Sequence, residues 1–290
     1  MKILQKKMFE KFSFSISFFT SLLFVVSFLS PVNVLSAENK IVNPSSQTEQ
    51  WENLKEILFS NRKVEENAKD ILSISAPFRA EDAAVVPISI KSKIAQGKKI
   101  FIKKLYLLID NNPTPVAGVF TLSPDAGKAD IETRVRLEEY TYVRAVAELN
   151  DGSLHMVSKF VRASGGCSAP AGKDQEAALA RMGKMRFRVS SEVKLGEPTL
   201  AQVMVSHPNF SGMQMDQVTR LYVPPLFVRK IQVKQGTKTL LTADLDFAIS
   251  ENPNIRFYFV PTNNEEFLRA EVLDSADTKY VKDISVIAGS

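Results

Sequence analysis

Apolar and polar residues alternate in short runs along most of this chain, the spacing of strands that bury one face. In the first half these runs cover residues 71–74, 84–90, 100–109, 116–122, 131–137, 140–149 and 154–161. Asn111-Asn112-Pro113, Ser123-Pro124-Asp125 and Asn150-Asp151-Gly152 punctuate them. Asp151-Gly152, set between two alternating runs, predicts a hairpin. The second half behaves alike at residues 185–189, 200–205, 226–233, 239–245, 255–260, 267–273 and 280–286, with Gln235-Gly236 as a hairpin turn. Two stretches change to helical spacing. Residues 49–60 place Trp51, Leu54, Ile57 and Leu58 on one face, and residues 175–182 form a short helix capped by Asp174 and stopped by Gly183. About seven short strands per half with frequent turn signals predict an all-β chain. Its fold class is two immunoglobulin-like antiparallel β-sandwich domains in tandem, at 48–162 and 185–290. A short N-terminal helix precedes them, and a mobile cysteine-bearing linker at 163–184 joins them. The Cys–Trp–Cys core of antibody domains is absent.

The first 37 residues follow a different rule. Lys2, Lys6, Lys7 and Lys11 precede an apolar run at 12–29, and Leu35-Ser36-Ala37 offers a small-residue cleavage site. This is the layout of a secretory signal peptide, with an uncleaved anchor as the alternative. The expectation is therefore an exported protein, with no membrane association after cleavage. Export changes the reading of charge. Of the net +5, +3 belongs to the first 37 residues and only +2 to the rest. No basic patch interleaved with aromatics stands out, which argues against nucleic acid as a partner.

Cys167 is the single cysteine of the 290 residues. In an oxidising compartment it stays free, pairs with another chain in a disulfide-linked dimer, or carries something. It sits in Ser164-Gly165-Gly166-Cys167-Ser168-Ala169-Pro170-Ala171-Gly172, where every neighbour is small. Such a segment lacks the apolar surface to fix itself, so the expectation is a solvent-exposed arm with Gly165 and Gly166 supplying its freedom. Five residues from Arg162 give it a reach of at most ~17 Å. Lys159, Arg162 and Lys173 flank the thiol, either as ordinary solvated charges or as groups that favour the thiolate. With His155 and His207 as the only histidines, a zinc site or a Ser–His–Asp triad has little raw material. His207 with Met204, Met213 and Met215 suits either a soft copper(I) site or ordinary core packing, and the packing reading leads. No catalytic residue, metal or cofactor is assigned.

A family resemblance sharpens this. Ile102-Lys103-Lys104-Leu105-Tyr106-Leu107-Leu108-Ile109-Asp110-Asn111-Asn112-Pro113-Thr114-Pro115, then Phe120, resembles SoxY of the bacterial sulfur-oxidation (Sox) system. So do Val143-Arg144-Ala145-Val146-Ala147-Glu148, Asp151-Gly152, and Lys159-Phe160-Val161 leading into Gly165-Gly166-Cys167. The second half is similar to SoxZ through His207-Pro208-Asn209-Phe210-Ser211-Gly212, and through Ala248-Ile249-Ser250-Glu251-Asn252-Pro253 leading to Phe257-Tyr258-Phe259. A fused, exported chain of this kind resembles the SoxYZ-like carriers associated with quinoprotein dehydrogenases. The resemblance implies a carrier rather than an enzyme. Cys167 would covalently hold sulfur-containing intermediates such as thiosulfate and present them to periplasmic Sox-type or quinoprotein dehydrogenase enzymes. Here Ser168-Ala169 follow the cysteine where the SoxY tail has Gly-Gly, and the arm is internal rather than a free C-terminus. The alternative is a non-covalent periplasmic adaptor or assembly module for a dehydrogenase.

Overall fold

The fold was analysed in a computed structural model that describes residues 45–60, 62–97, 99–170 and 175–287. The signal-peptide segment and Asp174 lie outside the described residues. Among the described residues, no helix is long and apolar enough to cross a membrane.

The first half opens with helix α1 (Glu49–Phe59) and continues through eight strands. These are β1 (Val64–Glu66), β2 (Leu72–Ser75), β3 (Val86–Ser92), β4 (Ile102–Ile109), β5 (Val116–Leu122), β6 (Ile131–Val135), β7 (Thr141–Leu149) and β8 (Leu154–Val161). A short helix α2 (Gln175–Ala180) leads to β9 (Met185–Val189), β10 (Thr199–Val205), β11 (Val228–Gln235) and β12 (Lys238–Leu245). β13 (Asn254–Phe259), β14 (Glu265–Asp274) and β15 (Lys279–Ile287) complete the second half. Each predicted run is a strand, and both predicted hairpins form, β7 to β8 and β11 to β12. The three-residue β1 has no sequence signal of its own. It is set by parallel pairing with β8.

The immunoglobulin-like sandwiches are all-β as expected, but they are joined edge to edge. β5 of the first half pairs antiparallel with β12 of the second, making one nine-stranded sheet in the order β1-β8-β7-β4-β5-β12-β11-β14-β15. Across the core, β6 meets β13 at Glu132 and Arg256, giving a six-stranded sheet in the order β2-β3-β6-β13-β10-β9. One apolar core, from Leu72 through Phe120 and Ile249 to Val286, runs through both halves between the sheets. Pairing across the seam removes two exposed strand edges from each half, edges that would otherwise invite foreign strands.

Helix α1 explains why β4 and β7 are so apolar. Thr48 caps it by accepting from the Trp51 amide, and Ser60 ends it in the left-handed region. Trp51, Leu54 and Phe59 pack with Tyr106, Leu108, Val146, Leu154 and Met156 on the outer side of the nine-stranded sheet. With both faces covered, β4 and β7 read as near-continuous hydrophobic runs. One helix residue departs from the expected face: Ile57 is 76 % exposed, and Phe59 takes its place against the sheet.

Candidate functional site

The cysteine loop leaves β8 and does not project into solvent. Cys167 is fully buried, with 0 % exposure. Its cover is built from β6 outward. Past β6 the chain continues through Arg136, Leu137 and Glu138, and the loop lies along it. Gly165 N–H donates to the Glu138 carbonyl and Gly166 N–H to the Leu137 carbonyl, both at 2.8 Å. The Glu138 carboxylate then takes three donors. Cys167 N–H (2.9 Å) and Ser168 N–H (3.1 Å) reach Oε2, while Ser168 Oγ–H donates to Oε1 at 2.7 Å. From the second half, Ser211 Oγ–H donates to the Cys167 carbonyl at 2.6 Å, and Gln214 Nε2–H to the Ala169 carbonyl at 3.1 Å.

The expected free arm is therefore corrected for its described residues, and the two glycines change role. Gly165 sits at φ +77°, a conformation that side chains strain. A Cβ on Gly166 would lie 2.1 Å from the Ala83 carbonyl oxygen and 2.8 Å from that of Leu137. Gly166 is there for close backbone approach, not for looseness. Composition suggested freedom because small residues carry no apolar anchor. What holds the loop instead is backbone and carboxylate hydrogen bonding, which composition does not display.

Burial sets the thiol chemistry. Desolvation pushes the Cys167 thiol up to about 12, with the Glu138 carboxylate adding to the rise and the Arg136 guanidinium opposing it. The docked sulfur is thus a protonated, unreactive thiol at neutral pH. Cys167 counts among the buried core residues, while the groups that hold its loop are polar. Glu138, which binds the loop, is half-buried, and Ser168 beside the cysteine is exposed.

Arg136 is the cation nearest in effect, and the sequence reading passed over it. Its buried Nη1 donates to the carbonyls of Phe247 and Ile249, both at 2.9 Å, so a first-half side chain pins second-half backbone under the loop. Asn112 Nδ2 donates to the Arg136 carbonyl at 2.8 Å, and Asn112 Oδ1 accepts from the Glu138 N–H at 3.0 Å. Of the three expected flanking cations, Arg162 stacks over the Phe78 ring at 4.7 Å and Lys159 pairs in register with Val143 on β7. Lys173 lies outside the described residues. The only signal for Arg136 and Glu138 was two charges straddling Leu137 at a strand end, which many surface turns share.

The other quoted motifs resolve into supports. Asp110 and Arg144 form a buried two-pronged ion pair, Nε to Oδ1 at 2.7 Å and Nη2 to Oδ2 at 2.6 Å. Thr48 Oγ1–H adds a bond to Asp110 at 2.9 Å, and the guanidinium lies over the Trp51 ring at 4.7 Å. Asn209 Nδ2 donates to the Ile249 carbonyl, and Asn209 Oδ1 accepts from Val228 N–H. His207 is buried, accepts from the Asn209 N–H at Nδ1, and points Nε2 at Asp274 across 3.7 Å. Burial lowers its affinity for a proton. Met204 lies on the outer, partly exposed face of β10, whereas His207 is buried. His155 meets the Ser153 hydroxyl at 3.1 Å.

Comparison with known families bears on both halves. Residues 55–167 match the model of the sulfur oxidation protein SoxY, and residues 185–285 that of the sulphur oxidation protein SoxZ. The chain is a SoxY–SoxZ fusion. The SoxY match ends on Cys167 and the SoxZ match starts at the first residue of β9. Among solved structures, the chain is similar to the sulfur carrier protein SoxY from Chlorobium limicola f thiosulfatophilum. That likeness has 19 % identity and a TM-score of 0.33, covering 39 % of this chain and 94 % of that one. It is also similar to the superoxide reductase (neelaredoxin) from Ignicoccus hospitalis, with 13 % identity and a TM-score of 0.30 over 34 % and 94 % of the two chains. No curated protein matches it. In these terms, Arg136 and Glu138 of the SoxY domain and Ser211 and Gln214 of the SoxZ domain meet around one thiol.

Proposed function

We propose that this SoxY–SoxZ fusion is a periplasmic covalent carrier of sulfur-containing intermediates. It uses Cys167 in two states: docked under the Glu138 lid, and released to a partner enzyme of the Sox type or of a quinoprotein dehydrogenase system. The observation that carries the reading is that the SoxY match ends on this cysteine, whose loop is held by hydrogen bonds to the half-buried Glu138. Docking hides the thiol from oxidants. Release returns it to water, where an ordinary thiol ionises near pH ~8.5. With thiosulfate as cargo, the released thiolate forms a sulfur–sulfur bond to the terminal sulfur, and the partner enzyme takes up the electron pair. The product is a cysteine S-thiosulfonate.

Undocking gives up hydrogen bonds at the edge of the fold, several of them to a half-buried carboxylate. A net cost of order 3 kcal/mol leaves the released state populated below about 1 %. That is rare enough to protect and frequent enough to serve a partner.

Burial of the sulfur also favours a second reading, the non-covalent adaptor for a dehydrogenase, in which Cys167 only helps lock the two domains together. Intact-mass analysis of protein purified from the host without reductant separates them. The carrier shows a sulfur adduct that the Cys167→Ser variant lacks. Unmodified protein together with full host activity of Cys167→Ser establishes the adaptor.

A further inference from the structure

The outer faces of the two sheets treat charge differently. On the nine-stranded sheet most cations have partners, with Lys234 and Lys279 sharing Glu271, Arg269 pairing with Asp283 and Lys230 with Asp244, while Lys103, Lys104, Lys159 and Lys282 make no ion pair among the described residues. The six-stranded sheet is not balanced in this way. Opposed residues of antiparallel strands share a face. The register therefore puts Ser75, Ser89, Glu132, Arg256, Gln202 and Arg188 in one row across all six strands. Lys91, Arg134 and Arg186 flank this row on the same face. Of these five cations, only Arg256 has a carboxylate at ion-pair distance among the described residues, Glu132 at 2.6 Å, and Lys91 faces Asp130 at longer range. Arg134 donates through Nη2 to the Asn252 carbonyl, and its buried Nε has no partner. Lys91, Arg186 and Arg188 make no ion pair among the described residues.

Between the rows runs an open groove of about 740 Å³, lined among others by Arg134, Arg256, Ser89, Gln202 and Asn254. It straddles the seam, with β3 and β6 from the SoxY domain and β13 and β10 from the SoxZ domain. Strand spacing makes the basic face roughly 19 Å wide from β9 to β3. A small oxyanion would engage two of its cations at most, whereas a protein patch would engage all of them. The face runs toward the thiol. Arg134 lies four residues before Glu138 on one continuous chain, within ~14 Å.

We propose that the outer face of the six-stranded sheet is the docking surface for an acidic patch of the enzyme that exchanges cargo with Cys167. The inference rests on the carrier reading for the identity of that enzyme. The surface itself stands on the register and the unpaired arginines. Interspersed hydroxyl and amide groups supply hydrogen bonds to carboxylates, and a partner seated across the seam reads both domains at once. Charge arranged in this way accelerates encounter and fixes orientation, and salt screens it.

The test uses an oligoglutamate peptide as the acidic probe, with binding followed by amide chemical shifts in the whole exported chain. Shifts are expected on β3, β6, β13, β10 and β9, fading as salt is raised. R186E/R188E should weaken binding by about tenfold or more, with R186Q/R188Q as the milder version should the reversal perturb folding. K103E/K282E, the same change of net charge on strands of the nine-stranded sheet, should leave affinity within about twofold. Shifts scattered over both sheets, or equal losses in the two charge-reversal pairs, overturn the proposal. So does saturable binding of single-stranded DNA to this face without binding of the peptide. Because Cys167→Ser should bind the peptide unchanged, failure here is separable from a missing adduct on Cys167.

Discussion

Two carboxylates of the SoxY domain, Asp110 and Glu138, each spend both oxygens inside the protein, yet they do opposite things. Asp110 faces Arg144 and Thr48, and the ion pair is sealed beneath Trp51. Glu138 faces the cysteine loop from a half-buried position at the margin of the fold. If the first set of bonds opens, a naked charge remains in a dry interior. If the second opens, the carboxylate returns to water and loses little. The same chemistry thus gives a permanent fastening in one place and, in the carrier we propose, a releasable one in the other, with access to water deciding which.

The largest expected effect comes from breaking the permanent fastening. Arg144→Met leaves Asp110 charged, buried and without its main partner, which should cost about 3–5 kcal/mol. Urea denaturation should show that loss as a lower midpoint. A change below about 1 kcal/mol would mean that the pair is already hydrated and that the contrast with Glu138 is false.

This contrast also marks what the sequence could convey. Strand runs such as 116–122 and 185–189 coincide with β5 and β9, because one-sided burial imprints a period of two. Hidden from the sequence were the fusion of sheets at β5–β12 and β6–β13 and the identity of the lid. Edge pairing uses backbone groups that every residue owns. Glu138 earned no notice because a glutamate in a turn is ordinary until its partners, twenty-nine residues away, are placed. Gly166 was misread for a related reason: a missing Cβ permits mobility and close contact alike, and only the 2.1 Å approach to Ala83 distinguishes them.

Gly166 supplies the next test. Its Cβ would strike backbone oxygens of two segments, neither of which can rotate aside, so Gly166→Ala should expel the loop while sparing both sheets. Labelling of Cys167 by iodoacetamide should accelerate about a hundredfold, the factor expected if docking is worth about 3 kcal/mol. Far-ultraviolet circular dichroism should stay unchanged. Parent-like labelling would show that the loop is not held as described.

Smaller effects probe the carboxylate itself. Glu138→Gln has the same shape, but its amide cannot accept at both ends, so labelling should rise about tenfold. Ser168→Ala removes only the 2.7 Å bond from the hydroxyl and should give a rise of about two- to fivefold. The pH dependence has a definite sign. The docked thiol keeps its proton up to about 12, whereas a released thiol loses it near ~8.5. Between those values the released state gains thiolate and the docked state gains none, so docking weakens steadily as pH rises through that window. Labelling of the parent should therefore keep climbing beyond pH ~8.5, and its inflection should move down toward the free-thiol value in Glu138→Gln and slightly so in Ser168→Ala. An inflection at the free-thiol value in the parent, unmoved by either substitution, would mean that Ser168 and Glu138 touch the loop without governing it.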